Sequence, residues 1–224
     1  NQMKGISIGP NCDSAGIIKT KNLRYQSYPF DFINSNLYMI KHCINDEFKI
    51  FFDKKYFKEI KIEKSIRTQH LFYYKMLNNY EFNKYVKIVN SRPSKREIII
   101  MDEKIIDYDR EDFENFILNN RPIFYHHNLL NKNDYDAFLR RCNRFMDIFK
   151  NNNTEKTYLI YFNRYCYSIN EILDFCNFIK NKKNIFFIEF LIKKINNNKK
   201  ILYEKDNSII YENYNYNEIL EKLI

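Results

Sequence analysis

No run of the chain approaches the ~18 consecutive apolar residues that a membrane span requires, and the opening residues show no basic-then-apolar secretory leader. No C-x-x-C pair occurs, which argues against a structural zinc site. Five cysteines, an odd number at irregular spacing, argue against a disulfide framework and for a reducing compartment, the cytoplasm. Neither an internal repeat nor a convincing linker is present, so residues 1–224 are expected to form a single domain. Tryptophan is missing, and small residues are scarce: three glycines, two alanines and four prolines. The glycines, at positions 5, 9 and 16, match neither the dinucleotide-binding nor the P-loop spacing. No cofactor and no metal are predicted.

Asn, Lys, Ile, Tyr and Phe dominate instead. With 20 Phe and 19 Tyr among the 45% hydrophobic residues, the core must be rich in aromatic rings. A net charge of +9 would ordinarily point to nucleic acid or another anionic partner. Yet 27 of the 37 basic residues are lysines, which an A- and T-rich codon bias supplies freely, and they are spread along the chain rather than clustered. Nucleic-acid binding is therefore disfavoured. The charge does not choose a partner.

Periodicity predicts a strand over Lys4–Ile8, stopped by Gly9-Pro10, and a helix from about Cys12 through Ile18. Ser27 to Phe32 reads as an extended loop, because Pro29 steers Tyr28 away from helical geometry. Ser35 is expected to cap a helix through Cys43, whereas residues 46–90 carry mixed signals. Glu97–Met101 and Lys104–Tyr108 read as a hairpin, Asp109 as the cap of a helix carrying Phe113, Phe116 and Ile117, and Ile123–His127 as a strand. The clearest helix, Asn133–Lys150, places Tyr135, Phe138, Leu139, Cys142, Phe145, Met146 and Phe149 at three- and four-residue spacing. A strand over Tyr158–Phe162 follows, then a helix opened by a Ser168/Glu171 capping box and a strand over Ile185–Ile192. The chain closes with a hairpin (Lys200–Glu204, Ser208–Glu212) and a helix capped by Asn217. This alternation predicts an α/β fold, a mixed and partly parallel sheet flanked by helices, with an α+β papain-like arrangement as the alternative.

The scarce small residues are concentrated. Gly5, Gly9, Pro10, Ala15 and Gly16 all lie within GISIGPNCDSAG, around Cys12. A strand ending in Ser7-Ile8-Gly9-Pro10-Asn11 and opening a helix at Cys12 is where reactive groups gather in open α/β sheets. Gly9 permits a tight turn, and its missing side chain is expected to let a substrate approach. A helix start favours an anionic sulfur, and the amides around Gly9 and Asn11 are candidates for stabilising an oxyanion. The competing reading is a thiol that only fills a tight turn. Cys43, Cys142 and Cys176 fall on apolar helical stripes and are expected in the core, whereas the role of Cys166 is open.

A cysteine nucleophile needs a base and a group to orient it. Of His42, His70, His126 and His127, the pair at the end of the predicted strand is preferred, His126 first and His127 as its alternate, since neighbouring strand residues face opposite ways. That opposition also disfavours a metal pair. Asp31, within Tyr-Pro-Phe-Asp-Phe, is the candidate orienting group, or else a cap for the turn that follows. Asn163, just past a predicted strand, is the alternative orienter.

These segments resemble a family of papain-like cysteine peptidases from large DNA viruses and bacteria. The similarity rests on S-x-G-x-x-C ending at Cys12, on Ser-Tyr-Pro-Phe-Asp at Ser27 to Asp31, and on Phe124-Tyr125-His126. An arginine-rich helix follows, Leu139-Arg140-Arg141 through Arg144-Phe145. The resemblance implies a cysteine-centred site acting on a peptide or another acyl- or amide-bearing substrate. Papain-like enzymes use a Cys, His, Asn order, which Asn163 would complete.

Three functions therefore compete. One is a cysteine hydrolase or acyl transferase using Cys12, His126 and Asp31. Another is a phosphate- or nucleotide-sugar-binding module, or a transferase, that needs no cysteine chemistry. It would hold its anion at the helix start with Arg140, Arg144 or Arg164 nearby. The last is a basic interaction protein whose binding would weaken steeply with salt.

Overall fold

Glycine 9 decides how the first strand ends. Its φ of +119° is backbone that side-chain-bearing residues avoid, and it turns the chain from β1 (Lys4–Ser7) into α1 (Cys12–Thr20). The computed structural model describes residues 4–9, 12–62, 65–79, 86–89, 97–100, 123–150, 155–163, 169–191 and 199–222. After α1 come a 3-10 turn at Pro29–Phe32, α2 (Leu37–Asn45), and further 3-10 turns at Ile50–Phe52 and Lys54–Tyr56. Then follow β2 (Phe57–Ile62), β3 (Ser65–His70), α3 (Leu71–Asn79), β4 (Val86–Val89) and β5 (Glu97–Ile100). The last part holds α4 (Lys132–Lys150), β6 (Thr157–Asn163), α5 (Ile169–Ile179) and β7 (Ile185–Leu191). It closes with β8 (Lys200–Lys205), β9 (Ser208–Glu212) and α6 (Tyr216–Lys222).

The main sheet has the order β1-β6-β7-β9-β8. β1, β6, β7 and β9 run parallel, and β8 closes one edge antiparallel to β9. Strands covered on both faces read as near-continuous apolar runs, as Ile185–Leu191 does but for Glu189. Alternate residues divide between the two faces. Ile6, Leu159, Tyr161 and Phe187 join the core carried by α2, α4 and α5, while Ile160, Phe162, Ile188 and Phe190 pack with Ile18 of α1 and Leu220 of α6. The protein is an α/β fold with a mostly parallel sheet flanked by helices. Among the described residues, no helix is long and apolar enough to cross a membrane.

The expected aromatic core lies beneath α4. Phe30 meets Phe145 edge-on at 5.3 Å and Phe48 at 5.8 Å, while Phe51 meets both Phe48 and Phe124 at 5.3 Å. Edge-to-face pairs add about 0.5–1.5 kcal/mol each beyond area burial. This packing holds Glu47 and Phe48 at φ +55° and +61°, left-handed backbone costing a non-glycine residue roughly 1–2 kcal/mol. Asp46 assists by accepting the Phe48 and Ile50 amides at 3.1 and 2.9 Å.

Several local expectations change. Asn36, not Ser35, caps α2, accepting the Met39 amide at 2.8 Å. Ser35 turns the other way and donates to the Ile8 carbonyl at 3.2 Å. Glu171 extends its carboxylate to the Leu37 and Tyr38 amides at the start of α2, with 2.9 Å to Leu37, while Ser168 lies outside the described residues. β5 pairs with β4, and Lys104–Tyr108 and the helix expected after Asp109 lie outside the described residues. Asn215 rather than Asn217 supplies the cap of α6, accepting the Asn217 amide at 3.0 Å. Leu139 is 40% exposed, so the apolar stripe of α4 is narrower than its spacing implies.

Ile123–His127 is a turn, not a strand. Only Phe124 makes a bridge, to Thr68 of β3, and the opposite-facing argument for the two histidines lapses with it. The apolar start of this run reflects burial rather than a place in a sheet: Ile123 and Phe124 are both buried, and the Phe124 ring lies 5.4 Å from Phe138 of α4.

Candidate active site

The end of β1 is locked from several directions. The Ile8 amide donates to the Ile160 carbonyl at 3.1 Å, and the Phe162 amide donates to the Gly9 carbonyl at 3.4 Å. The Ser14 hydroxyl, from the first turn of α1, also donates to the Gly9 carbonyl. A β-carbon on Gly9 would stand 2.2 Å from the Ser35 Oγ. The bare α-carbon therefore serves close packing against Ser35, and the substrate approach expected there is replaced by a protein contact. Cys12 emerges from this corner as the first residue of α1, and its side chain is exposed. Cys43, Cys142 and Cys176 are buried as expected. Burial pushes the Cys176 thiol up to about 12 and those of Cys43 and Cys142 well above their ordinary range. Asn11 and Cys166 lie outside the described residues.

α1 packs against the 3-10 turn that carries Asp31. Tyr28 is extended and Pro29 opens the turn, so the Tyr28 amide points back to Asp31 Oδ2 at 2.8 Å. The same oxygen lies 2.9 Å from an Arg24 guanidinium nitrogen. Asp31 has no exposed surface. Burial pushes its pKa up to about 6 against the opposing pull of the Tyr28 amide and of Arg24, Arg141 and Arg144. Its contacts go to a backbone amide and a guanidinium, and among the described residues none goes to an imidazole. Arg144 reaches the Gln26 side chain at 3.0 Å, and Arg140 is exposed on the same helix.

The two adjacent histidines have different surroundings. His126 is exposed, with its ring edge-on to Tyr125 at 5.0 Å. His127 is half-buried, its ring 5.0 Å from Phe138 and 6.4 Å from Phe32 of the 3-10 turn. Its Nδ1 faces Asp134 Oδ1 at 3.4 Å, and the other oxygen of Asp134 accepts the Asn128 amide at 2.8 Å. Burial pulls the His127 pKa below its ordinary value, and Asp134 opposes this. A neutral ring giving its Nδ1 proton to Asp134 presents Nε2 as an acceptor.

The 3-10 turn thus contacts α1, the helix that Cys12 opens, and meets the His127 ring through Phe32. Among the described residues no hydrogen bond joins Cys12 to an imidazole. Asn163 ends β6, opposite Leu191 in the sheet, and Arg164 lies outside the described residues. His42 and His70 are engaged elsewhere: His42 Nδ1 lies 3.2 Å from the Tyr73 hydroxyl, and His70 Nε2 lies 3.0 Å from the Ile50 carbonyl. Among the described residues, no group of three or more His, Cys, Asp or Glu side chains could hold a metal ion.

The family model described as "Putative papain-like cysteine peptidase (DUF1796)" matches residues 3–200. The chain belongs to this family. Neither the curated proteins nor the solved structures compared with it gave a match. The matched span contains Cys12, Asp31, both adjacent histidines and Asp134, a residue that sequence reasoning passed over. Its signal was the acid in the first turn of α4, seven positions after His127, which reads on its own as ordinary helix-end charge. Arg24 was missed as well, and Arg141 was named only as part of the arginine-rich helix, because each meets Asp31 only through the fold.

Proposed function

We propose that this family member is a cysteine-dependent hydrolase acting on peptide or related acyl and amide bonds, with Cys12 as nucleophile and His127 as base. One observation carries the reading. The helix that the exposed Cys12 opens and a carboxylate-backed histidine both contact the same 3-10 turn. His127 is favoured over His126 because, among the described residues, His127 alone of the two has an acid at its Nδ1. Asp134 takes the orienting role first sought in Asp31, and Asp31 instead braces the turn through Tyr28 and Arg24.

In this reaction His127 Nε2 takes the thiol proton and the sulfur attacks the carbonyl carbon, pushing an electron pair onto oxygen. Amides at the start of α1 stabilise that oxygen. The intermediate collapses to a thioester as His127 returns the proton to the departing amine. Water, deprotonated by the same ring, then attacks the thioester, releasing the acid and restoring the thiol.

The test is alkylation of Cys12 in the full chain by iodoacetamide at neutral pH, compared with glutathione. Enhanced reactivity of Cys12 that is lost in His127→Ala and retained in His126→Ala is expected. A rate at or below that of glutathione, indifferent to His127, would refute the assignment. The alternative, an anion-binding module without cysteine chemistry, would instead show thermal stabilisation by nucleotides or sugar phosphates that survives Cys12→Ser.

A further inference from the structure

Three arginines converge on one carboxylate. Arg24 precedes the 3-10 turn, whereas Arg141 and Arg144 stand one turn apart on α4, and all three act on Asp31. Even a fully ionised Asp31 leaves an excess of positive charge here.

Two of the arginines have acceptors. Arg24 contacts Asp31 Oδ2 at 2.9 Å, donates to Ser27 Oγ at 2.6 Å and donates to the Gln26 carbonyl at 3.2 Å. Arg144 donates to Gln26 Oε1 at 3.0 Å and to the Arg140 carbonyl at 3.2 Å. Arg141 differs. Its guanidinium carbon sits 4.8 Å from the centre of the Phe138 ring, and among the described residues its buried Nη1 has no acceptor. Burial, followed by repulsion from Arg144 and Arg24, pulls its pKa down, with Asp31 and Asp134 opposing. A buried N–H with no acceptor is costly to maintain. A planar guanidinium in that state is suited to the paired oxygens of a carboxylate.

Arg141 also borders the proposed catalytic histidine. Its charge acts on His127, and both side chains pack on Phe138. An anion held by Arg141 would therefore lie beside the reacting group.

We propose that Arg141, assisted by Arg144, binds a carboxylate on the substrate, making this a hydrolase selective for acidic acyl or peptide substrates. The proposal rests on the cysteine-hydrolase reading for its link to catalysis, but carboxylate binding itself does not. The carboxylate has two possible sources, an acidic side chain or a free peptide terminus, and both present the same pair of oxygens.

The experiment has two arms on the full chain. In the first, Cys12 is alkylated by iodoacetate and by iodoacetamide, and the rate ratio is divided by that of glutathione. A ratio raised several-fold, falling toward one in Arg141→Gln and Arg144→Gln but little changed in Lys180→Gln, is expected. An iodoacetate preference unaffected by either arginine variant overturns the proposal. In the second arm, thermal shifts are measured in the Cys12→Ala protein with N-acetylglycine, which carries a terminal carboxylate, and with N-acetylglutamic acid α-amide, which carries only a side-chain carboxylate. Stabilisation by one or both that disappears in Arg141→Gln supports the site and identifies the source.

Stabilisation by neither overturns it. Slow alkylation by both reagents, with the thermal shift intact, refutes the nucleophile and leaves the carboxylate site standing. Arg144→Gln keeps the test decisive should Arg141→Gln fail to fold.

Discussion

Replacing Gly9 with alanine tests the corner that presents Cys12. At φ +119° an L-residue is strained, by about 1–2 kcal/mol. The new methyl would sit 2.2 Å from Ser35 Oγ, far inside contact distance, so the hydroxyl must rotate away from the Ile8 carbonyl. Losing that hydrogen bond adds about 1 kcal/mol. Reduced freedom of the unfolded chain offsets roughly 0.5–1 kcal/mol, which leaves a net destabilisation of about 2 kcal/mol. Gly16 provides the contrast. It lies within α1, and a β-carbon there meets nothing within 4 Å, so Gly16→Ala should stabilise by about 0.5–1 kcal/mol. Urea unfolding of both variants, and of Gly9→Ala in a Ser35→Ala background, separates the contributions. Without the hydroxyl, the cost of Gly9→Ala should fall to about 1 kcal/mol, backbone strain alone. Equal effects of the two glycine substitutions would mean that Gly9 carries no special backbone demand, and an undiminished cost in the Ser35→Ala background would refute the contact.

Further outcomes follow from the same geometry. Asp134→Asn should slow Cys12 turnover about 10–100-fold through loss of ring orientation, with the pH profile of alkylation displaced; an unchanged rate and profile would remove Asp134 from the site. Phe145→Ala, which empties the ring cluster under α4, should cost about 3–5 kcal/mol by urea unfolding, and a cost below about 1 kcal/mol would mean that this packing contributes little. Burial raises Glu171 from its ordinary value of 4.5 to about 7. The folded state therefore holds a proton that the unfolded state has released between those values, and Glu171 makes stability fall as pH rises through that window. The decline is on the order of 3 kcal/mol, and Glu171→Gln, which keeps an acceptor for the Leu37 amide, should flatten the curve. Identical pH slopes for the two proteins would contradict the assignment.

Local pattern was enough for much of this protein. β1, α1, α4, β6, α5, β7 and the β8–β9 hairpin all lie where periodicity places them, within a residue or two, because an amphipathic stripe or a doubly covered strand leaves its mark in consecutive residues. The segment around Cys12 was legible for the same reason, since a strand, a glycine turn and a helix start are neighbours in the chain. Tertiary structure decided the rest. Whether Ile123–His127 became a strand or a turn depended on Thr68 and α4, and the short run Ile123-Phe124-Tyr125 satisfies either. Ser35 carries the same hydroxyl whether it caps a helix or braces β1, and Gly9 made the choice from 26 residues away. Asp134 beside His127, and Arg24 and Arg141 around Asp31, are charges whose partners are selected by folding. Electrostatic contacts act through space between side chains with no periodic signature, so sequence alone names the charged residues but not the pairs they form.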